Sequence, residues 1–191
     1  MANWARPLAL ALGTSVALTA VTLVAVAATQ GDGFRVTRSR VMPVPAEAVR
    51  RELGDVTAVD AWSAPNRPEG PPVTTFSSQR TGVGAWVEHR AGGALTRMTI
   101  ASLTDEGARY DLETSGALGS GRSRLDVVLR DSGSSTSVDA VFSSSFTFVT
   151  RLLWPVVHKG LTASANEHLD RCLNALERRA RTPAAAPPAG P

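Results

Sequence analysis

Apolar residues recur at every second position in short runs from Phe34 to Ser144, and beyond Val156 the interval changes to three and four. The second pattern is the easier to read. Leu161, Ala165, Leu169, Cys172, Leu173 and Leu176 follow one helical face, while Asn166, Glu167, Asp170, Arg171, Glu177 and Arg178 fall mostly on the other. Pro155 stands just ahead, where a helix tolerates a missing N–H. Arg178, Arg179 and Arg181 suit the negative pole of the helix dipole, and Pro183 follows them. The spacing predicts a helix over 156–180, roughly 38 Å long at 1.5 Å per residue.

The earlier runs predict strands. Phe34 to Val41 alternates and contains β-branched residues, although Arg38 and Arg40 fall out of step with Arg35, Thr37 and Ser39. Its charge suits an edge strand. A short helix follows over Pro45–Leu53, with proline at its first position, Gly54 after its last, and Val49 and Leu53 facing inward. Asp55 to Trp62 predicts another helical turn, and 63–72 is turn chemistry throughout. Strands are then expected over 73–77, 84–90, 94–103, 108–114, 122–130 and 136–144. Ala91-Gly92-Gly93 and Asp105-Glu106-Gly107 read as hairpin turns, and 116–121 as a glycine-rich bend. In the fifth of these strands Leu125, Val127 and Leu129 oppose Arg124, Asp126 and Arg130. Strand, two short helices, a run of antiparallel strands and one long helix make an α+β chain. The terminal helix is the only element long enough to cover the sheet.

One further stretch changes the picture. Leu8 to Ala28 contains no charged residue, and its length matches the roughly 20 residues that cross a bilayer. It reads as a retained single-span anchor, with a cleaved signal peptide as the alternative because Ala25-Val26-Ala27 would pass as a cleavage site. Arg35, Arg38 and Arg40 follow it, which by the positive-inside rule places the remainder in the cytoplasm. The tail, 182–191, is proline- and alanine-rich and is expected to be disordered.

Composition narrows the function. Hydrophobic residues form 43% of the 191, enough for a packed core, and the net charge is only +3. The arginines are interleaved with acids and never cluster with aromatics, which argues against nucleic-acid binding. Cys172 alone excludes a disulfide within the chain. His89, His158 and His168 have no pair at helical ligand spacing, so no metal or other cofactor is expected. There is no G-x-S-x-G elbow. Glu88 and Asp126 have acid/base chemistry, but both alternate with apolar residues as outward-facing groups do. His158 lies near the start of the long helix without a nameable polar partner for general-base work.

Five segments carry a resemblance: RVTRSRVMPVPAEAVRREL, GDVTAVDAWS, GVGAWVEHRAGGALTRMTI, ARYDLET and LTASANEHLDRCLNAL. Together they resemble the polyketide cyclase/dehydrase group of the START-like (SRPBCC) superfamily, over about residues 34–180. The resemblance implies a helix-grip fold, in which a curved antiparallel sheet of seven strands wraps the long terminal helix and two short helices close one end. It also implies a hydrophobic ligand held between sheet and helix, and it transfers no catalytic residue. The chain then divides into an anchor and linker (1–33), a START-like domain (34–181) and a tail (182–191). Strand alternation nominates Trp86, Met98, Tyr110, Leu112 and Phe142 for the cavity, with Trp154 and His158 from the helix and Trp62 at the mouth. Three functions stay open: binding of an apolar or lipid-like molecule beside a membrane, a cyclase/dehydrase-type reaction, and a protein-interaction domain with a filled core.

Overall fold

The computed structural model describes residues 33–63, 73–116, 119–145 and 148–182, with the side chains of 148–157 excepted. The apolar run Leu8–Ala28, the turn segment 64–72, the centre of the glycine-rich bend and the tail from 183 onward lie outside the described residues. Among the described residues no helix is long and apolar enough to cross a membrane.

The chain is α+β. Strand β1 (Gly33–Met42) is followed by α1 (Ala46–Leu53) and α2 (Val56–Ser63), then by β2 (Val73–Phe76), β3 (Trp86–Ala91), β4 (Ala94–Thr104), β5 (Gly107–Gly116), β6 (Gly119–Asp131) and β7 (Thr136–Ser145). Helix α3 (Phe148–Arg181) closes the chain. The strands form one antiparallel seven-stranded sheet in the order β1-β7-β6-β5-β4-β3-β2.

Alternation sorts the sheet as the sequence predicts. Leu125, Val127 and Leu129 of β6 and Val138 and Ala140 of β7 are buried, whereas Arg124 and Arg130 are exposed. One lapse has a local cause. A bulge between Ile100 and Ser102 shifts the pairing of β4 by one residue, so that Ile100 and Leu103 both reach the core despite their odd spacing. The following turn requires Gly107. It holds φ +140°, and a Cβ there would lie 1.9 Å from the Val127 carbonyl oxygen.

Helix α3 packs against α1, α2 and β1, with a lighter contact on β7. Leu169, Cys172, Leu173, Leu176 and Ala180 are its buried face, whereas Ala165 is half-buried and Leu161, a turn farther back on the same stripe, is 43% exposed, because the helix packs mainly through the half that meets α1, α2 and β1. The helix begins at Phe148, eight residues ahead of the predicted start, and Pro155 lies inside it. The sequence reading stopped at proline because that residue removes one helical hydrogen bond. One missing bond does not end a helix of this length, so proline marks a boundary only weakly.

The out-of-step arginines of β1 are also explained. Arg38 and Arg40 share the inner face with Val36 and Met42 and reach α3. Arg38 pairs with Asp170 at 3.3 Å, and Arg40 pairs with Glu177 at 3.1 Å and hydrogen-bonds Asn174. Arg179 of α3 reaches Glu52 of α1 at 2.7 Å. Polar clamps thus hold the terminal helix at the edge strand and at α1.

Candidate functional site

The inner face of the sheet is not covered evenly. Toward the α1 and α2 end, Val36, Leu125, Val127, Leu129, Val138 and Tyr110 are buried. Toward the opposite end, where β1 begins, Phe34, Leu112 and Phe142 are only half-buried. Phe34 and Phe142 meet with ring centroids 5.8 Å apart. In the same region the alternation of β6 and β7 passes into hydroxyls. Ser123 continues the series Leu129, Val127, Leu125, and Ser144 continues Val138, Ala140, Phe142. The two serines are cross-strand partners joined by a 3.0 Å hydrogen bond.

A cavity of about 720 Å³ lies at this end, with Phe34, Leu112, Ser123 and Ser144 contributed from the inner face. Arg35, Arg122 and Arg124 line it from the outer face, together with Asp111 and Glu113, so the space wraps the rim of the sheet. Its lining therefore joins an apolar wall to a cationic one. Arg122 pairs with Glu113 and Arg124 with Asp111, each at 3.4 Å and each with more than half of the partners' side chains exposed. Exposed pairs of this kind contribute only about 0–1 kcal/mol. Among the described residues Arg35 has no ion pair. A second cleft, about 600 Å³ beside α1, is lined by Arg50, Arg51 and Arg179, but Arg179 is committed to Glu52 and Arg50 to Asp105.

The residues nominated from the sequence separate into groups. Met98, Leu112 and Phe142 are on the inner face, and Leu112 lines the cavity. Trp62 and Tyr110 are also inward, but at the packed end. The Tyr110 hydroxyl donates to the Leu53 carbonyl at 2.8 Å and the Trp62 indole donates to the Glu52 carbonyl at 3.1 Å. Trp86 points the other way. It shares the outer face with Glu88 and Arg97, and the Arg97 guanidinium lies 4.4 Å from its ring centroid. The inward residues of β3 are Val87 and His89, because the strand's alternation is set by Ala85 and Val87 and not by its largest apolar side chain. His158 is half-buried on α3. Trp154 falls within α3, but its side chain lies outside the described residues.

The sequence reading missed Phe34, Arg35, Arg122 and Arg124. Two serines in place of apolar residues on adjacent strands were the available signal, since polar groups at core positions mark where packing stops. It also passed over His89, which is buried with its ring nitrogens 3.3 Å from Asp60 and 3.3 Å from Thr74.

The electrostatics give little proton-transfer chemistry to the packed region. Burial pushes the Tyr110 hydroxyl far above its ordinary value, so it serves as a neutral donor. Burial pushes the Cys172 thiol up to about 11 and, with the nearby Arg171, pushes His168 down. The thiol and imidazole are 3.5 Å apart, but neither is charged at neutral pH. Glu88 and Asp126 are outward and bound to Arg97 and Arg109 at 2.7 and 2.8 Å. Among the described residues no cluster of three metal-ligating side chains occurs.

No protein-family model matches the chain, and no curated protein matches it. Solved structures do resemble it. A conserved protein from Geobacillus kaustophilus aligns over 77% of this chain and 95% of its own with a TM-score of 0.57 and 8% identity. A Thermus thermophilus protein aligns over 80% and 100% (TM-score 0.55, 19% identity), and one from Chromobacterium violaceum over 78% and 97% (TM-score 0.55, 16% identity). At these identities the likeness establishes the fold alone: a seven-stranded antiparallel sheet with a C-terminal helix, compatible with a helix-grip fold.

Proposed function

We propose that this chain is a START-like helix-grip domain that holds an apolar or lipid-like small molecule at the open end of its sheet, tethered to a membrane by Leu8–Ala28. One observation carries the reading. The inner face changes from tightly packed to half-exposed along the same strands, and a cavity of about 720 Å³ opens where it does. That volume falls within the range of about 300–1,000 Å³ typical of small-molecule sites. Phe34, backed by Phe142, and Leu112 supply apolar contact, and Ser123 and Ser144 supply hydroxyls for orientation.

Binding is favoured over a cyclase-type reaction because the groups that move protons most readily are engaged elsewhere. Glu88 and Asp126 are ion-paired on the outer face, Tyr110 and Cys172 are held neutral by burial, the buried His89–Asp60 pair is not part of the cavity lining, and the lining carboxylates Asp111 and Glu113 are paired with Arg124 and Arg122. A tether also raises the local concentration of membrane-derived ligands. Arg35, Arg38 and Arg40 beyond the apolar run, against Arg6 and the α-amino group before it, favour the cytoplasmic side by the positive-inside rule.

The test is denaturing mass spectrometry of extracts from the purified full chain. An apolar molecule near one equivalent is expected for the native chain and should be depleted in Leu112→Arg. A native protein that carries none, and takes up none when incubated with total lipid extract, would refute the binding reading.

A further inference from the structure

We infer that the domain rests on an anionic bilayer through the end of the sheet where β1 begins, with Arg35, Arg122 and Arg124 against lipid headgroups and the cavity opening toward them. The inference rests on the membrane anchor proposed above. The apolar run ends at Ala28 and β1 starts at Gly33. A connection this short reaches at most roughly 18 Å at about 3.5 Å per residue. The polar layer of a bilayer leaflet takes up roughly 6–8 Å of that. Gly33 is therefore held close to the headgroups, and whatever surrounds Gly33 is held there with it.

The register states what surrounds it. Gly33 is opposite Ser145 of β7, and the Ser145 hydroxyl donates to the Arg122 carbonyl of β6. The β5–β6 hairpin extends past this point to Gly116 and Gly119, so it projects beyond the start of β1 on the same side. The turn between β3 and β4, at Gly92 and Gly93, lies at this end as well. The other end of the sheet carries the turns at Asp105–Glu106 and Asp131, roughly 40 Å away along β6 at about 3.3 Å per residue.

The end beside Gly33 carries a small basic excess. Arg35, Arg122 and Arg124 outnumber Asp111 and Glu113 around the cavity. At the far end Asp105, Glu106 and Asp131 outnumber Arg130 in the turns, but α1 carries two acids and two arginines and α3 ends there with Arg178, Arg179 and Arg181, so both signs are present. A tether alone permits any tilt. Attraction between the arginines beside Gly33 and anionic lipid favours the tilt that brings this end down. The arginines are free to exchange partners, because their carboxylates are themselves largely solvent-exposed. Phe34 and Leu112 line the same cavity as these arginines.

Collisional quenching tests this on the full chain in vesicles. A fluorophore is placed at Ser120→Cys, in the near hairpin, or at Ser132→Cys, in the far turn. Both positions are exposed, and the buried Cys172 stays unlabelled. With nitroxide-headgroup lipid in phosphatidylglycerol/phosphatidylcholine vesicles, quenching at position 120 should exceed that at 132 at least threefold. The excess should shrink by half or more in pure phosphatidylcholine, at about 0.5 M salt, or with the Arg35→Glu/Arg124→Glu variant, whose folding is checked by circular dichroism. A chain that floats with the vesicles but quenches equally at both positions, or whose excess ignores lipid charge and salt, overturns the docking while leaving the anchor standing. A chain that does not float with vesicles at all removes the anchor, and the docking with it.

Discussion

Trp62 and Tyr110 meet edge to face, ring centroids 6.0 Å apart, and donate to successive carbonyls at the end of α1, those of Glu52 and Leu53. The last carbonyls of a helix have no partner within it. Two buried aromatics from α2 and β5 supply those partners here, so one contact ties both short helices to the sheet. Removing one hydroxyl leaves a buried acceptor unsatisfied. Tyr110→Phe is expected to cost about 1–3 kcal/mol. A double-mutant cycle with Trp62→Phe, followed by urea unfolding, should return a coupling of about 0.5–1.5 kcal/mol. Additivity of the two changes would show that they act separately.

Helix α3 supplies the other half of the core. Leu173 is 3% exposed, and Leu173→Ala is expected to cost about 2–5 kcal/mol. Leu173→Asp buries a charge with no counter-ion and should abolish the cooperative melt. A native-like transition for the aspartate variant would contradict the packing of this helix.

Acid should weaken the fold in two stages. Burial, with help from Arg171, pushes His168 below its ordinary 6.5, so the folded state favours the neutral ring. Its contribution is complete above about pH 6.5 and is lost as pH falls toward the lowered value. Burial works against ionised Glu177, but Arg40 and Arg181 donate to it and outweigh that, leaving it below its ordinary 4.5. Its contribution is present above about pH 4.5 and disappears on further acidification. In melting temperatures followed against pH, His168→Gln should flatten the first decline and Glu177→Gln the second. An unchanged profile in both would remove these groups from the account.

Cys172 is buried, and its thiol is pushed up to about 11. Native protein at about pH 8 should therefore resist alkylation, while urea-unfolded protein reacts fully. Labelling of the native chain at the rate of a free thiol would place the residue at the surface.

Trp86 provides the opposite control. Stacked under Arg97 on the outer face, it contributes a surface contact of about 0.5–1 kcal/mol. Trp86→Ala should shift the urea midpoint slightly and leave ligand uptake intact. A loss of binding comparable to that of Leu112→Arg would put this strand's faces in the reverse order.

The cavity's position was less legible than the strands. Alternation identified Leu112 and Phe142 as inward, and the same rule misassigned Trp86, because size is a poorer guide to burial than phase along the strand. Arg38 and Arg40 looked anomalous in an isolated strand. Their partners are Asp170 and Glu177, more than a hundred positions later in the chain. No local pattern announces a pairing of that kind.

The sequence by itself determined which segments are strands, which residues are buried in the last helix from Leu169 onward, and where the turns fall. Those properties follow from periods of two and of three to four, which are local. Only the tertiary structure decided that Ser123 and Ser144 meet at one rim, that Arg35, Arg122 and Arg124 converge beside Phe34 and Leu112, and that Trp62 and Tyr110 complete a helix end. Each of those depends on register between strands distant in sequence, and register is fixed by the packing of the whole sheet against its helices.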